Sequence, residues 1–124
     1  MTSRLATEQN VWMATVRPDG RPHLVPVWFV FVRGSFWVGT GARSVKVANV
    51  RAQGRATVAL EDGDRPVVAE CSVREVPRPV PGDVVAAFRD KYSWDVDAEV
   101  DEDMGEVVVL ELAPGRWVFG GPDS

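Results

Sequence analysis

The chain has 124 residues and a formal net charge of −4 at pH 7. This length suits one domain with one hydrophobic core, so residues 1–124 are predicted to form a single domain. The acidic balance argues against a general nucleic-acid surface, and no apolar run reaches the roughly 20 residues of a membrane helix. One cysteine excludes an intramolecular disulfide, and the first residues lack the apolar core of a signal peptide. We therefore expect a soluble cytoplasmic protein.

Hydrophobic periodicity and turn residues predict a mainly β protein with strands in hairpins. The predicted strands cover residues 11–17, 22–32, 35–40, 55–61, 66–76 and 106–119, the last with an interruption after residue 112. Pro22 and Pro26 cannot donate ladder hydrogen bonds, so the second strand is expected at an edge or with a bulge near Pro26. Short helices are predicted from the N-cap Ser44 to Gly54 and over residues 83–92, followed by an acidic loop at 95–103. This order indicates an antiparallel barrel.

Several common sites are missing from the sequence. There is no phosphate loop of the type G-x-x-x-x-G-K-[ST] and no G-x-G-x-x-G fingerprint opening a helix. One histidine and one cysteine argue against a zinc site, and we expect no metal. Nothing marks a nucleophile. If the protein is an enzyme, a bound cofactor is expected to carry the chemistry.

Residues 39–46, G-T-G-A-R-S-V-K, are the best candidate for an anion site. Free backbone N–H groups at the start of the following helix, and the helix dipole, favour a phosphate. Ser44 adds a hydroxyl donor, while Arg43 and Lys46 add positive charge. The alternative is an ordinary junction between a strand and a helix with solvated cations.

The strand over residues 22–32 is apolar on both faces. Val25, Val27, Phe29 and Phe31 share one face, and Pro26, Trp28, Val30 and Val32 share the other. Because a small barrel buries only one face inside itself, the second must meet a helix, a partner subunit or a flat ligand. A dimer interface without a ligand is the simpler interpretation, but interfaces between subunits often hold cofactors.

Three segments carry a resemblance to a known family. They are V-W-M-A-T-V-R-P-D-G-R-P-H-L-V-P-V-W-F, G-T-G-A-R-S-V-K-V-A-N-V-R and R-A-T-V-A-L. In this order they resemble the pyridoxamine 5'-phosphate oxidase-like split β-barrel proteins, and within them the flavin and deazaflavin oxidoreductases. The likeness covers residues 4–119. It implies a six-stranded antiparallel split β-barrel, the FMN-binding split barrel, with two or three short helices.

The resemblance also implies a homodimer with two cofactor sites at the subunit interface. It implies that Pro26, Val27 and Trp28 line the flavin or deazaflavin ring. The phosphate would be bound by Thr40, Ser44 and Lys46, with help from Arg43. Three further residues, reaching the site from either subunit, are implied more weakly: Gln53, Arg55 and Trp117.

The short length and the single S-x-K clamp look more like the members that use coenzyme F420, so F420 is preferred over FMN. Its long anionic tail needs a basic groove, for which the candidates are Arg43, Lys46, Arg51 and Arg55. The chain is too short for a true pyridoxamine-phosphate oxidase. The expected reaction is hydride transfer from the reduced cofactor to a small electron-poor substrate such as an enone or a quinone-like molecule.

The proton donor for that reaction is left open between Tyr92, His23 and water. Cys71 is expected to be inert core packing. Two other functions stay possible: a non-catalytic protein that binds flavin or haem, for which His23 is the only imidazole, and a barrel whose apolar face serves dimerisation alone.

Overall fold

The computed structural model describes residues 3–98, 100–101 and 105–124. Within this part of the chain it contains three helices and eight strands. These are α1 (Arg4–Thr7), β1 (Asn10–Val16), β2 (Pro22–Trp28), β3 (Val30–Val32), β4 (Ser35–Gly41), α2 (Val45–Gln53), β5 (Arg55–Leu60), β6 (Val68–Val76), α3 (Gly82–Tyr92), β7 (Val100–Asp101) and β8 (Gly105–Phe119). None of the described helices is long and apolar enough to cross a membrane.

One antiparallel sheet curls to form a half-open barrel. Its strand order is β2-β1-β5-β6-β8-β4-β3, and β7 pairs with β8. The two edge strands, β2 and β3, are consecutive in the chain and are separated by Phe29 alone. One segment therefore joins both edges of the sheet. The prediction of a split β-barrel with few short helices is confirmed, and β2 is an edge strand as its prolines indicate.

The predicted count of six strands is too low. The expected single strand over residues 22–32 is divided at Phe29, so the irregularity follows Pro26 by three residues. The closing strand, expected with an interruption after residue 112, is the continuous β8, which accommodates Pro114 through register shifts against β6. The short α1 and β7 were not predicted. The predicted acidic loop at 95–103 lies partly outside the described residues.

The strand divides at Phe29 because two side chains of α3 bind its backbone. Tyr92 Oη accepts a hydrogen bond from Phe29 N–H at 2.9 Å and lies 2.8 Å from Phe29 O. Lys91 Nζ donates to the same carbonyl at 2.9 Å. Because the residue's N–H and C=O are satisfied outside the ladder, β2 pairs with β1 before this point and β3 pairs with β4 after it.

Two apolar clusters fill the molecule. The barrel cluster lies between the curled strands and includes Val11, Met13, Phe29, Phe36, Val58, Leu110 and Leu112. The helix cluster lies between α3 and the outer face of β3, β4 and β8, and includes Val30, Trp37, Val84, Phe88 and Val96. The second apolar face of the strand at residues 22–32 thus meets a helix at Val30 and Val32, one of the three expected solutions.

Gly39 on β4 allows the segment after α3 to lie directly on the sheet. A Cβ atom at this position would be 2.6 Å from Trp94 Cη2 and 2.7 Å from Val96 Cγ2. Both distances are far shorter than ordinary contacts between carbon atoms. A side chain at residue 39 would therefore displace Trp94 or Val96.

We expect Gly39→Ala to lower the free energy of unfolding by about 1–3 kcal/mol, because the added methyl overpacks the contact with Trp94. Urea denaturation measures the change. Gly63→Ala is the matched control, since a Cβ there meets no atom within 4 Å. Equal stability of the two variants would contradict the close approach of Trp94 to β4.

Candidate functional site

Ser44 precedes the first turn of α2 in the N-cap position, with extended backbone at φ −71° and ψ 154°. Its side chain makes no capping hydrogen bond. The residue is only 3% exposed, and its Oγ has no hydrogen-bond partner among the described residues. A buried hydroxyl without a partner is costly. The Ser44 hydroxyl is thus a free hydrogen-bond donor at a helix N-terminus, where an anion is favoured.

Lys46 lies in the first turn of α2 and is partly buried. Burial lowers the pKa of its amine. It shares a helix face with Asn49, three residues later, whose Nδ2 donates to Thr15 Oγ1 on β1 at 3.0 Å. This face of α2 is therefore directed towards the β1–β2 hairpin.

His23 lies beside Thr15 in that hairpin. Its Nδ1 atom is buried and has no partner among the described residues. Burial lowers the pKa of the imidazole, and the charges of Arg17 and Lys46 lower it further. His23 and Lys46 are thus close enough to interact electrostatically, and the imidazole is neutral near pH 7.

The other two residues of the predicted phosphate clamp differ in their surroundings. Thr40 is partly buried near the end of β4 and alternates with Gly39, so its side chain is on the barrel side of the sheet with Val38. Arg43 Nε lies 2.9 Å from the position that a Cβ of Gly105 would occupy. The Arg43 guanidinium is therefore directed towards the start of β8.

The three predicted ring-lining residues also differ. Val27 is buried in the barrel cluster, so its side chain is not accessible to a ligand. Pro26 and Trp28 are on the opposite, exposed face of β2. Trp28 is 42% exposed and Leu24 is 60% exposed. With β1 neighbours they form what we call the open face: Trp12, Val16, Leu24, Pro26 and Trp28.

An aromatic contact connects the open face with the strand that leads to α2. Trp28 stacks on Tyr92, with ring centroids 4.5 Å apart and planes at 9°. Trp94 meets Trp28 edge-on at 6.0 Å, and its ring also covers Gly39. Trp28 and Gly39, the residue before Thr40, are thus both packed against the Trp94 side chain. Sequence reasoning missed this role of Trp94, because the three residues are far apart in the chain and no local pattern joins them.

The more weakly implied residues lie in two regions of the protomer. Gln53 and Arg55 line a cleft of about 500 Å³ together with Thr15 and Cys71, and neither Lys46 nor Trp28 lines it. Trp117 packs against Phe31 and Phe36 in the barrel cluster. Phe36 is four residues from Thr40 along β4, a distance of about 13 Å. The implied role of Trp117 at the cofactor site stays a prediction.

The four candidates for the basic groove differ in their surroundings. Arg51 Nε is 2.8 Å from Glu75 Oε1 in an exposed ion pair. Arg43 is directed to β8, and Arg55 lines the cleft that it shares with Thr15. Lys46 is the candidate cation that lies beside Ser44.

A sequence model described as pyridoxamine 5'-phosphate oxidase matches residues 1–119. The chain belongs to this family. No curated protein matches the sequence.

Solved structures of the same fold include an F420 reductase, at 24% identity and a TM-score of 0.71, with 91% of each chain covered. They also include HutZ, the haem storage protein from Vibrio cholerae, at 16% identity and a TM-score of 0.75, with 94% of this chain and 91% of that chain covered. A third is the conserved hypothetical protein Rv2991 from Mycobacterium tuberculosis, at 27% identity and a TM-score of 0.70, covering 91% of this chain and 77% of that chain.

Two side chains, Tyr92 and His23, are candidates for the proton donor, and the Tyr92 hydroxyl is already engaged in hydrogen bonds within the fold. This hydroxyl lies 2.7 Å from Gln9 O and 2.8 Å from Phe29 O, so its single proton is directed to backbone carbonyls. Burial raises the pKa of the phenol. Cys71 is equally unreactive, because burial raises the pKa of its thiol to about 12.

We expect Ser44→Ala to raise the free energy of unfolding of the ligand-free protein by about 1 kcal/mol, because the substitution removes a buried hydroxyl that has no partner among the described residues. Ser3→Ala is the matched control. Ser3 is the N-cap of α1, and its Oγ accepts from Leu5 N at 3.1 Å. That variant is expected to lose about 1 kcal/mol. A loss at Ser44 as large as that at Ser3 would contradict an unpartnered hydroxyl.

The lowered pKa of His23 predicts a pH dependence. Below its ordinary value of 6.5 the unfolded chain binds a proton that the folded protein resists, so stability is complete above pH 6.5 and falls as the pH decreases towards the folded pKa. Urea denaturation between about pH 7.5 and 5 measures the loss, and His23→Asn is expected to remove it. His23 is the only histidine, so NMR titration of its ring reports the pKa directly. A pKa at or above 6.5 would overturn this account.

Proposed function

We propose that this protein is an oxidoreductase that binds coenzyme F420, or alternatively FMN, at the interface of a homodimer and reduces a small electron-poor organic substrate. The observation that carries the proposal is the buried Ser44 hydroxyl at the N-terminus of α2, which has no partner among the described residues, with the partly buried Lys46 in the first turn of the same helix. Family membership and the likeness to an F420 reductase support it.

The residues at α2 fit the phosphate of either cofactor. The Ser44 hydroxyl would donate to a phosphate oxygen, and the backbone N–H groups of the first turn of α2 would donate beside it. The Lys46 amine, whose pKa is lowered by burial, would gain a counter-charge. Thr40 would bind from the end of β4. When bound, the cofactor supplies hydride chemistry that no side chain of the protein provides.

The open face fits the ring and the second subunit. Its five apolar residues are contiguous across β1 and β2, since Trp12 pairs with Pro26 and Asn10 with Trp28. Exposed apolar surface of this kind marks an interaction site. Burying it against a second copy would exclude water from a ring placed over Trp28, which strengthens the electrostatic contacts around that ring.

The preference for F420 over FMN now rests on the likeness to the F420 reductase, which extends over 91% of both chains. The basic groove adds little, because Arg51 is paired with Glu75 and Arg43 lies against Gly105. The alternative of a non-catalytic haem carrier has one structural relative in its favour, the haem storage protein. The buried, unpartnered Nδ1 of His23 is compatible with it.

Fluorescence titration of the purified protein with F420, FMN and haem tests the proposal. We expect micromolar or tighter binding of F420, and Lys46→Met to weaken it about tenfold or more, because a charge-assisted hydrogen bond is lost. Arg65→Met is the control. It removes an exposed cation from the β5–β6 turn, at the end of β5 away from α2.

Each outcome of that titration has a meaning. Tight binding of FMN alone would replace F420 in the proposal. Haem binding alone, seen as a Soret band that His23→Ala abolishes, would favour the carrier. Binding of none of the three would sink the oxidoreductase.

The dimer has its own test. Leu24→Lys places a charge on the open face at a residue that is 60% exposed. We expect it to convert dimer to monomer in sedimentation velocity and to weaken cofactor binding. Ala86→Lys, on the exposed side of α3, is expected to leave both unchanged. A wild-type protein that sediments as a monomer at micromolar concentration would contradict the proposed interface.

A further inference from the structure

We propose that Tyr92 is a positioning residue that holds the Trp28 indole as a flat platform on which the cofactor ring stacks. This inference rests on the proposed function, because it takes Trp28 to line the ring. The new element is a role for Tyr92, a residue of α3 that lies under the open face and would touch neither the ring edge nor the phosphate of the cofactor.

The first observation is the geometry of the stack. The Trp28 and Tyr92 rings are nearly parallel, at 9°, with centroids 4.5 Å apart, and Trp94 closes one edge of Trp28 at 72°. Trp28 nevertheless is 42% exposed. One face of the indole is thus covered by Tyr92, while 42% of the residue is accessible. Offset parallel stacking at this distance is a favourable aromatic geometry, and a ligand ring would use it on the accessible part of the indole.

The second observation is that Tyr92 is itself fixed at its far end. Its hydroxyl accepts from Phe29 N–H at 2.9 Å and reaches Gln9 O at 2.7 Å. Phe29 directly follows Trp28, and Gln9 directly precedes β1. The phenol therefore ties the end of β2 to the start of β1 and supports the indole with the same ring. Lys91 adds a hydrogen bond to Phe29 O at 2.9 Å.

The consequence is a platform whose orientation is set before a ligand arrives. A free tryptophan on an edge strand would lose rotamer freedom when a ring stacked on it, and that loss would weaken binding. Here the stack with Tyr92 and the edge contact with Trp94 have already restricted the indole. Tyr92 acts on the ligand through Trp28 alone.

The experiment compares Tyr92→Leu, which removes the stack and the hydrogen bonds, with Tyr92→Phe, which keeps the stack. The probes are F420 and FMN, together with inorganic phosphate as a ligand that has no ring. We expect Tyr92→Leu to weaken binding of the ring-containing probe by about three- to tenfold, the range of one aromatic pair. Phosphate affinity is expected to be unchanged, and Tyr92→Phe to keep most of the ring affinity.

Two further measurements separate positioning from general stability. Trp28→Leu and the double variant Trp28→Leu/Tyr92→Leu are expected to bind the ring equally weakly, because Tyr92 has no effect once Trp28 is absent. Phe88→Leu is the matched control. Phe88 is buried 6.2 Å from Tyr92 in the same cluster, and its truncation is expected to cost stability without costing ring affinity.

A readout without cofactor completes the test. In protein labelled with 5-fluorotryptophan, the Trp28 resonance, assigned with Trp28→Phe, is expected to shift and broaden in Tyr92→Leu while the Trp12 resonance stays in place. Wild-type binding of neither F420 nor FMN would overturn the proposed function and this inference together. Wild-type binding that Tyr92→Leu leaves intact, or a further loss in the double variant, would overturn this inference alone.

Discussion

The fold depends on how the backbone of Phe29 is satisfied outside the sheet. If residues 22–32 paired with one neighbour along their whole length, the sheet would have two separate edges. The break at Phe29 lets the first part pair with β1 and the last part with β4, so that one segment joins both edges. A buried N–H or C=O without a partner costs about 1–3 kcal/mol, and Tyr92 and Lys91 remove that cost. The α3 helix is therefore part of the barrel closure.

The hydrogen bond to the Phe29 carbonyl requires a partly buried, charged Lys91. Its amine lies 3.8 Å from the centroid of the Phe29 ring, and burial lowers its pKa to about 8 against the opposing charge of Glu8. At pH 7 the amine is still mostly protonated and can donate to the Phe29 carbonyl. The same helix covers Val30 and Val32 but ends at Tyr92, beneath Trp28. The open face begins where the cover of α3 stops.

Elements specified by neighbouring residues could be predicted from the sequence. Arg33 and Gly34 have φ values of 53° and 76°, the two positive values that a tight hairpin turn needs, and the predicted turn lies there. Ser44 and Gly54 bound α2 as expected. The division at Phe29 could not be predicted, because its cause is a tyrosine 63 residues later.

In the candidate site, too, some residues are placed by local sequence and others by tertiary packing. Ser44 and Lys46 are neighbours in sequence, so their spacing alone placed them at one helix end. The pairing of Arg51 with Glu75 joins α2 to β6 and has no local signal in the sequence. The proximity of His23 to Lys46 likewise depends on the packing of α2 against the β1–β2 hairpin.

Three groups near the start of α2 are unfavourable in the protomer as it stands. The Ser44 hydroxyl and His23 Nδ1 are buried with no partner in the part of the chain that the structure describes, and the Lys46 amine is partly desolvated. A protein selected for stability alone would replace them with apolar side chains, since buried polar groups are tolerated only when they are paired. An anion at this helix end would satisfy the hydroxyl and give the amine a counter-charge. The open face is also unfavourable, because it exposes apolar side chains to water. Trp94 contacts both Trp28 on this face and Gly39 on β4, the strand that leads to α2. A flat ring with an anionic arm is the ligand that would correct both defects at once.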